Sequence, residues 1–498
     1  MARPTTTYVC QSCGAQTRQF FGRCSSCGAW NSLVEQTAPA SDTRRRRPVA
    51  ADASAASPRQ PRRSEPIAAV GERPLQRLGS GYGELDRVLG GGLVPGSLVL
   101  LGGDPGIGKS TLLLQSAEAM ATRCSVLYVS AEESAQQVKL RWRRLAEGAS
   151  EVEGEMGGEG PAPRALVRAQ ARAEAPESAG LQLLAETDLE LVLQELEALR
   201  PAVAVIDSIQ ALHDGELSSA PGSVAQVREC AAALARIAKR QDTALLLVGH
   251  VTKEGMLAGP KVLEHLVDAV LTFEGDRFAS HRLLRAVKNR FGATHELGVF
   301  EMRGRGLAEV SNPSELFLGS EEPSAGTATI VACEGTRPLV VELQALVSTT
   351  SYASPRRTAT GIGTNRLHQI LAVLEKHLGL PLSRFDCYLA VAGGLEVEEP
   401  AADLGVAAAV VASYRDLTLP PGTVLIGELG LGGQLRPVGQ LELRLQEASR
   451  LGFTRAVVPK GSGLARLAAG LDLQLLEAGG VAEALVAALG VNPADDRA

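Results

Sequence analysis

The sequence predicts an α/β architecture, a parallel sheet flanked by crossover helices behind a small metal knuckle, and three observations predict it. Six short apolar segments, SLVLLGG, SVLYVSAEE, VAVIDSIQ, ALLLVGH, AVLTFEG and RLLRAVKN, alternate with helix-length stretches. That alternation is how parallel strands joined by crossover helices read. The word GDPGIGKS lies between the first of these strands and the helical TLLLQSAEAMA, and two C-x-x-C pairs open the chain.

Length and composition bound the rest. At 498 residues the chain is too long for one core and implies two or three domains. A hydrophobic content of 45% and a charged content of 21% fit a globular protein, and the net charge of −6 excludes a broadly basic surface, so any nucleic-acid contact is local. No apolar run approaches the roughly 20 residues that span a bilayer, and MARPTTTYVC lacks a secretory core. Four of the eight cysteines cluster at the start, while Cys124, Cys230, Cys333 and Cys387 stand apart. That is the pattern of a reduced, cytoplasmic protein without a membrane partner.

Three compositional breaks divide the chain: an Ala/Pro/Ser/Arg stretch around 36–66, a Gly/Glu/Ala stretch at 148–180, and a polar connector at 311–327. The first two lack the large apolar residues a core needs. The expected organisation is a C4 zinc knuckle at 1–35, a flexible linker at 36–66 and an ATPase domain at 67–310. The ATPase carries a disordered insertion at 148–180, and a second α/β domain occupies 328–498. The Arg44–Arg47 run in the linker is read as a solvated tail.

In the knuckle, Cys10-x2-Cys13 and Cys24-x2-Cys27 bring four thiolates within reach of one tetrahedral Zn2+. The alternative is a dithiol redox pair, which a doubled and matched spacing disfavours. A closed set of four ligands leaves no position for chemistry and assigns the site to folding or docking.

GDPGIGKS satisfies G-x4-G-K-[S/T] in the strand-then-helix context the motif requires. Gly103, Asp104, Pro105, Gly106, Ile107, Gly108, Lys109, Ser110 and Thr111 form the expected ATP cradle. Lys109 bridges the β- and γ-phosphates and Ser110 ligates Mg2+. Asp207 closes VAVIDSIQ at a strand tip suited to the Mg2+ shell. Glu132 is the expected activator of the attacking water; the plainer reading makes Glu132 and Glu133 surface caps of the next helix. His250, at the tip of ALLLVGH, is either a γ-phosphate sensor or an ordinary strand-end histidine.

The order of these words, with SAEES, AETDLE, GHVTKEG and KNRFG between and after them, resembles RecA-type motor ATPases. With the C4 knuckle in front, the chain looks like the bacterial RadA/Sms DNA-repair family. The resemblance covers about residues 8–35 and 67–490. It implies a RecA-like ATPase that forms a ring, hexameric by expectation, acts on single-stranded and branched DNA, and assists the RecA recombinase. A KaiC-like regulatory ATPase acting on protein partners is the alternative.

Lys is scarce, with 8 among 50 basic residues, and three of them, Lys109, Lys253 and Lys288, fall in words suited to phosphate. Lys288, Asn289, Arg290, Phe291 and Gly292, read as following a strand, match the segment that touches DNA or a neighbouring subunit's nucleotide. Lys253 is the second DNA-contact candidate. The alternative makes KNRFG a solvated turn with Phe291 packed inward.

From Ala328 onward the chain resembles the proteolytic domain of Lon, an α/β fold of the ribosomal S5 domain 2-like kind. EVEEPAADLGVAAAV and IGELGLGGQLRPVGQLELRLQEASRLGFTRAVVPK are the matching words. The position matching that family's serine is Ala401 and the one matching its lysine is Arg444. Arginine stays protonated and cannot act as a base, so no protease is expected.

Overall fold

The computed structural model describes residues 6–10, 16–17, 19–25, 28, 30, 33–37, 76–147, 180–249, 262–275, 280–319, 324–352, 354–461 and 470–490. The chain divides into two compact units, Met1–Glu309 and Val310–Ala498.

The first unit opens with a three-stranded antiparallel ribbon, β1 (Thr6–Cys10), β2 (Gln16–Thr17) and β3 (Leu33–Thr37), with β1 in the middle. β3 reaches two residues into the stretch expected to be linker, because Thr37 pairs with Thr6.

A nine-stranded sheet forms the body of the unit. Its strands are β4 (Leu98–Gly103), β5 (Ser125–Ser130), β6 (Gly180–Ala185), β7 (Val203–Asp207), β8 (Ala244–Val248), β9 (Ala269–Glu274), β10 (His281–Asn289), β11 (Leu297–Arg303) and β12 (Gly306–Glu309). They lie in the order β12-β11-β10-β9-β4-β8-β7-β5-β6. β9 through β6 are parallel. Side chains alternate between two cores. Val99, Leu101, Tyr128, Val205 and Leu246 meet helices Gly83–Leu89 and Lys109–Ala121. Leu98, Leu100, Leu127, Ile206 and Leu247 meet helices Leu189–Leu199 and Val224–Gln241. A parallel sheet covered on both faces has strands apolar at nearly every position, hence the fully buried β4, β7 and β8.

Two expectations change. RLLRAVKN, read with the parallel strands, is β10 and runs antiparallel to β9. Only residues 275–280 join the two, too few for a crossover, so the chain doubles back as a hairpin. Lys288 and Asn289 accordingly lie inside β10, beside a bulge between Ala286 and Lys288, and not after the strand. Gly180, assigned to the insertion, starts β6, which among the described residues is an edge strand paired with β5 alone; residues 148–179 lie outside the described residues.

The second unit is a seven-stranded mixed sheet ordered β15-β16-β14-β13-β17-β20-β21. Its strands are β13 (Thr327–Glu334), β14 (Arg337–Thr349), β15 (Arg357–Thr360), β16 (Phe385–Val391), β17 (Thr423–Leu425), β20 (Arg455–Pro459) and β21 (Gln474–Ala478). β18 (Glu428–Leu429) and β19 (Leu435–Arg436) make a separate hairpin. The expected connector holds a short helix, Ser314–Phe317, and β13 begins one residue before its expected start. Helix Asp403–Arg415 is buried from Asp403 to Ala412. Gly405 allows its close approach, since a Cβ there would lie 2.1 Å from Ile330 Cγ2.

Candidate nucleotide site

The phosphate loop emerges from β4 at Gly103 and re-enters helix at Lys109. Gly103 has φ +145 and a Cβ on it would meet the Phe273 carbonyl at 2.5 Å, so only glycine turns here. Gly108, φ +116, precedes helix Lys109–Ala121 without a side-chain cap. The first amides of that helix therefore remain available to an anion. Asp104, Pro105 and Gly106 are exposed, Ile107 is buried, and Ser110 and Thr111 lie half-buried in the first helical turn. Lys109 is only 4% exposed. Its Nζ donates to the carbonyls of Gly103 at 2.7 Å and Asp104 at 2.8 Å. Burial lowers its pKa from the usual lysine range, against the pull of Asp207, Asp104 and Glu132. The lysine thus stands amid carboxylates whose pull opposes the cost of its burial.

The carboxylates arrive on β5 and β7, neighbours in the sheet. Asp207 ends β7, with its Oδ2 accepting the Tyr128 hydroxyl at 2.6 Å. Burial and the adjacent Asp207 raise the Tyr128 phenol well above its ordinary value. The next residue, Ser208, donates from Oγ to Glu132 Oε1, and the Ala131 amide donates to the Asp207 carbonyl at 2.7 Å. Glu133 turns the other way and pairs with Arg141. Of the two candidate glutamates, Glu132 is the one brought beside Asp207. Tyr128 and Ser208 escaped the sequence reading. The signal for Tyr128 was a phenol inside an otherwise aliphatic strand; the serine beside an aspartate carried none. Arg282, buried on β10, also escaped, and its Nε donates to the Ile107 carbonyl at 3.3 Å behind the loop. His250 and Lys253 lie outside the described residues.

KNRFG is knitted into the unit. Lys288 Nζ donates to the carbonyls of Glu264 and Val267, the latter at 2.9 Å. These sit at the end of helix Val262–Leu266, where unpaired carbonyls attract a cation. Burial and the neighbouring Arg290 lower the Lys288 pKa, while Asp268 and Glu264 oppose them. Asn289 Nδ2 donates to the Val88 carbonyl at 3.2 Å, and its Oδ1 accepts the Phe291 amide at 2.9 Å. Arg77 holds the Phe291 carbonyl at 2.6 Å. Gly292 abuts Gly90, and a Cβ on Gly292 would lie 2.9 Å from Gly90 Cα. Arg290 keeps a 52% exposed side chain while its Nη1 reaches Asp268 Oδ1 at 3.1 Å. Asp268 in turn accepts the Leu98 amide at 3.0 Å and gives its own amide to the Leu98 carbonyl at 2.9 Å.

In the ribbon, Cys10 ends β1, Cys24 is buried, and the Gly28 amide closes a turn onto the Cys24 carbonyl at 2.9 Å. Cys13 and Cys27 lie outside the described residues.

In the second unit Ala401 is buried, and Arg444, 3% exposed, makes a two-pronged pair with Glu399 at 2.7 and 2.5 Å. The same guanidinium donates to the carbonyls of Val331 at 2.5 Å and Gly439 at 3.0 Å. Glu399 Oε1 also accepts the Cys333 amide at 2.6 Å. An arginine so engaged offers no base and Ala401 no nucleophile.

Residues 76–256 match the family described as AAA domain, and residues 8–35 match the rubredoxin metal binding domain. The chain is similar to DNA repair protein RadA of Synechocystis sp., 57% identical over 99% of this chain and 96% of that one. The protein of the same name from Bacillus subtilis is 45% identical over 98% of this chain and 100% of its own. Among solved structures, a KaiC-like protein, PH0186 from Pyrococcus horikoshii, is 19% identical with a TM-score of 0.35, matching 48% of this chain and all of its own. The RadB recombinase is 21% identical with a TM-score of 0.34 over 47% of this chain and all of its own. Among the described residues no helix is long and apolar enough to cross a membrane.

Proposed function

Because the chain belongs to the family of DNA repair protein RadA, we propose that it is a DNA-stimulated ATPase that moves single-stranded and branched DNA during recombinational repair. The observation that supports this best is the convergence of Lys109, Asp207 and Glu132 around one glycine loop. In the proposed reaction Lys109 leaves the Gly103 and Asp104 carbonyls for the β- and γ-phosphates. Glu132 accepts the proton of the attacking water as the γ-phosphoryl group departs. The Ser110 hydroxyl and the Asp207 carboxylate are hard oxygen donors of the kind Mg2+ takes, and that ion supplies charge neutralisation on the phosphates. Thiolates at Cys10, Cys13, Cys24 and Cys27 are the matching soft set for Zn2+ in a structural site.

Around this engine we place a hexameric ring, with the RecA recombinase as partner and His250 as γ-phosphate sensor. Lys253 and the Lys288–Gly292 word act on DNA or on the neighbouring subunit's nucleotide. A zinc knuckle (1–35), linker (36–66), ATPase (67–310) and non-proteolytic Lon-like domain (328–498) are the working parts. Arg290 is the most accessible cation of its word, whereas Lys288 works by fixing the helix after residues 250–261. Lys288→Ala is therefore expected to leave nucleotide affinity unchanged and to abolish stimulation by single-stranded DNA. Full stimulation in that variant defeats the assignment.

The direct test is ATP turnover with and without single-stranded DNA, for wild type and Glu132→Gln. Stimulated turnover that falls about a hundredfold or more in the variant supports the reading, the loss being that of a positioned base. Turnover indifferent to DNA points instead to a regulatory ATPase of the KaiC kind, and undiminished turnover in the variant removes Glu132 from its role.

A further inference from the structure

Asp207, the last residue of β7, is tied to Tyr128 of β5, and the next residue, Ser208, to Glu132 just beyond the end of β5. The first tie is the more consequential. Tyr128 is a large residue only 1% exposed, set in β5 opposite Val205. Its hydroxyl reaches Asp207 two positions further along β7, on the same face of the sheet as the helix that carries Lys109. A carboxylate has two oxygens. With Oδ2 held by the phenol at 2.6 Å, the carboxylate keeps one oxygen for a second partner.

Lys109, an electrostatic partner of Asp207, makes this restraint matter. A carboxylate free to turn would pair with that ammonium directly. Such a pair would draw the lysine from the phosphates and the aspartate from the metal.

We propose that Tyr128 is a positioning residue which, through its hydrogen bond to Asp207, holds that carboxylate apart from Lys109 and so sets the Mg2+ requirement for nucleotide binding. The proposal rests on the nucleotide site described above and adds a residue to it. Tyr128 touches neither nucleotide nor metal and acts only through Asp207.

Tyr128→Phe keeps the ring and removes the donor. With a fluorescent ADP analogue titrated in the absence of metal, the variant is expected to bind more weakly than wild type, because the freed Asp207 draws Lys109 from the phosphates. In the presence of metal, the Mg2+ concentration giving half of the metal-dependent gain in affinity is expected to rise about tenfold, as when an outer-shell partner of a ligand is lost. ATP turnover at saturating Mg2+ should then approach that of wild type. In an Asp207→Asn background the same tyrosine change should have no further effect on the Mg2+ requirement, since the two act as one unit.

A merely structural tyrosine gives a different result: a lower melting midpoint with an unchanged Mg2+ requirement, and that overturns the proposal. An additive effect in the Asp207→Asn background also overturns it. Should Tyr128→Phe fail to fold, Tyr128→His, whose donor stops short of the carboxylate, carries the same test with the same expected direction. Wild-type protein that neither binds the analogue nor hydrolyses ATP would instead defeat the nucleotide reading itself.

Discussion

Lys109→Ala is expected to lower ATP turnover by about a hundred- to a thousandfold or more, the scale on which a single preorganised charge at a reacting centre acts. The reason lies in the charges around it. Asp104, Glu132 and Asp207 all act on this one ammonium, so without it a nucleotide's phosphates face those carboxylates with only the metal between. Binding should weaken as well. Stability should not suffer in step, because burial disfavours the charged form of this lysine. The sign follows from proton linkage. A depressed lysine pKa means the folded chain binds fewer protons than the unfolded chain between the folded value and 10.5, so the penalty is present at neutral pH and fades as pH rises past that window. A melting midpoint held or raised, together with lost turnover, is the expected pair of readings. A variant that loses activity by unfolding would contradict it.

Arg444→Ala is expected to have the largest effect on stability, about 3–5 kcal/mol from the transition of residues 310–498. Arg444 is 3% exposed and donates to Glu399 and to the carbonyls of Val331 and Gly439. Its removal leaves Glu399 without its cation in a half-buried position and strips the two carbonyls of a donor. The remaining Glu399 would still hold the Cys333 amide, which cannot neutralise it. Replacing both partners, Glu399→Gln with Arg444→Met, should recover much of the loss, since no charge is then stranded. Urea unfolding followed by circular dichroism resolves the two variants, and equal destabilisation by both would show that the ion pair is not the source.

The phosphate loop was legible because its chemistry is local: glycines, a lysine and a hydroxyl at fixed spacing need only a strand before them and a helix after. Asp207 was legible for the same reason, as the carboxylate ending an apolar run. Tyr128 was not, because its role depends on β5 lying beside β7, and no word in the sequence states that adjacency. Lys288 shows the same limit. Its composition suggests a phosphate ligand, but tertiary contacts with Glu264 and Val267, more than twenty residues away, decide where the ammonium rests. β6 was hidden by the long stretch before it and by its half-exposed pattern, which lacks the continuous apolar run of its neighbours. In the second unit, Ala401 and Arg444 were readable as residues that offer neither nucleophile nor base. The buried pair with Glu399 that occupies the place needed the fold.

Asp268 clasps Arg290 with one oxygen and the amide of Leu98 with the other. Leu98 is the heel of β4, and Gly103, about 17 Å away at the roughly 3.3 Å rise of a strand, is its toe. The surface guanidinium and the glycine turn beneath Lys109 therefore lie at opposite ends of one strand, joined through Asp268. Whatever acid or phosphate entices Arg290 outward strips a donor from the occluded carboxylate of a residue that still grips the heel of β4 by two bonds to Leu98.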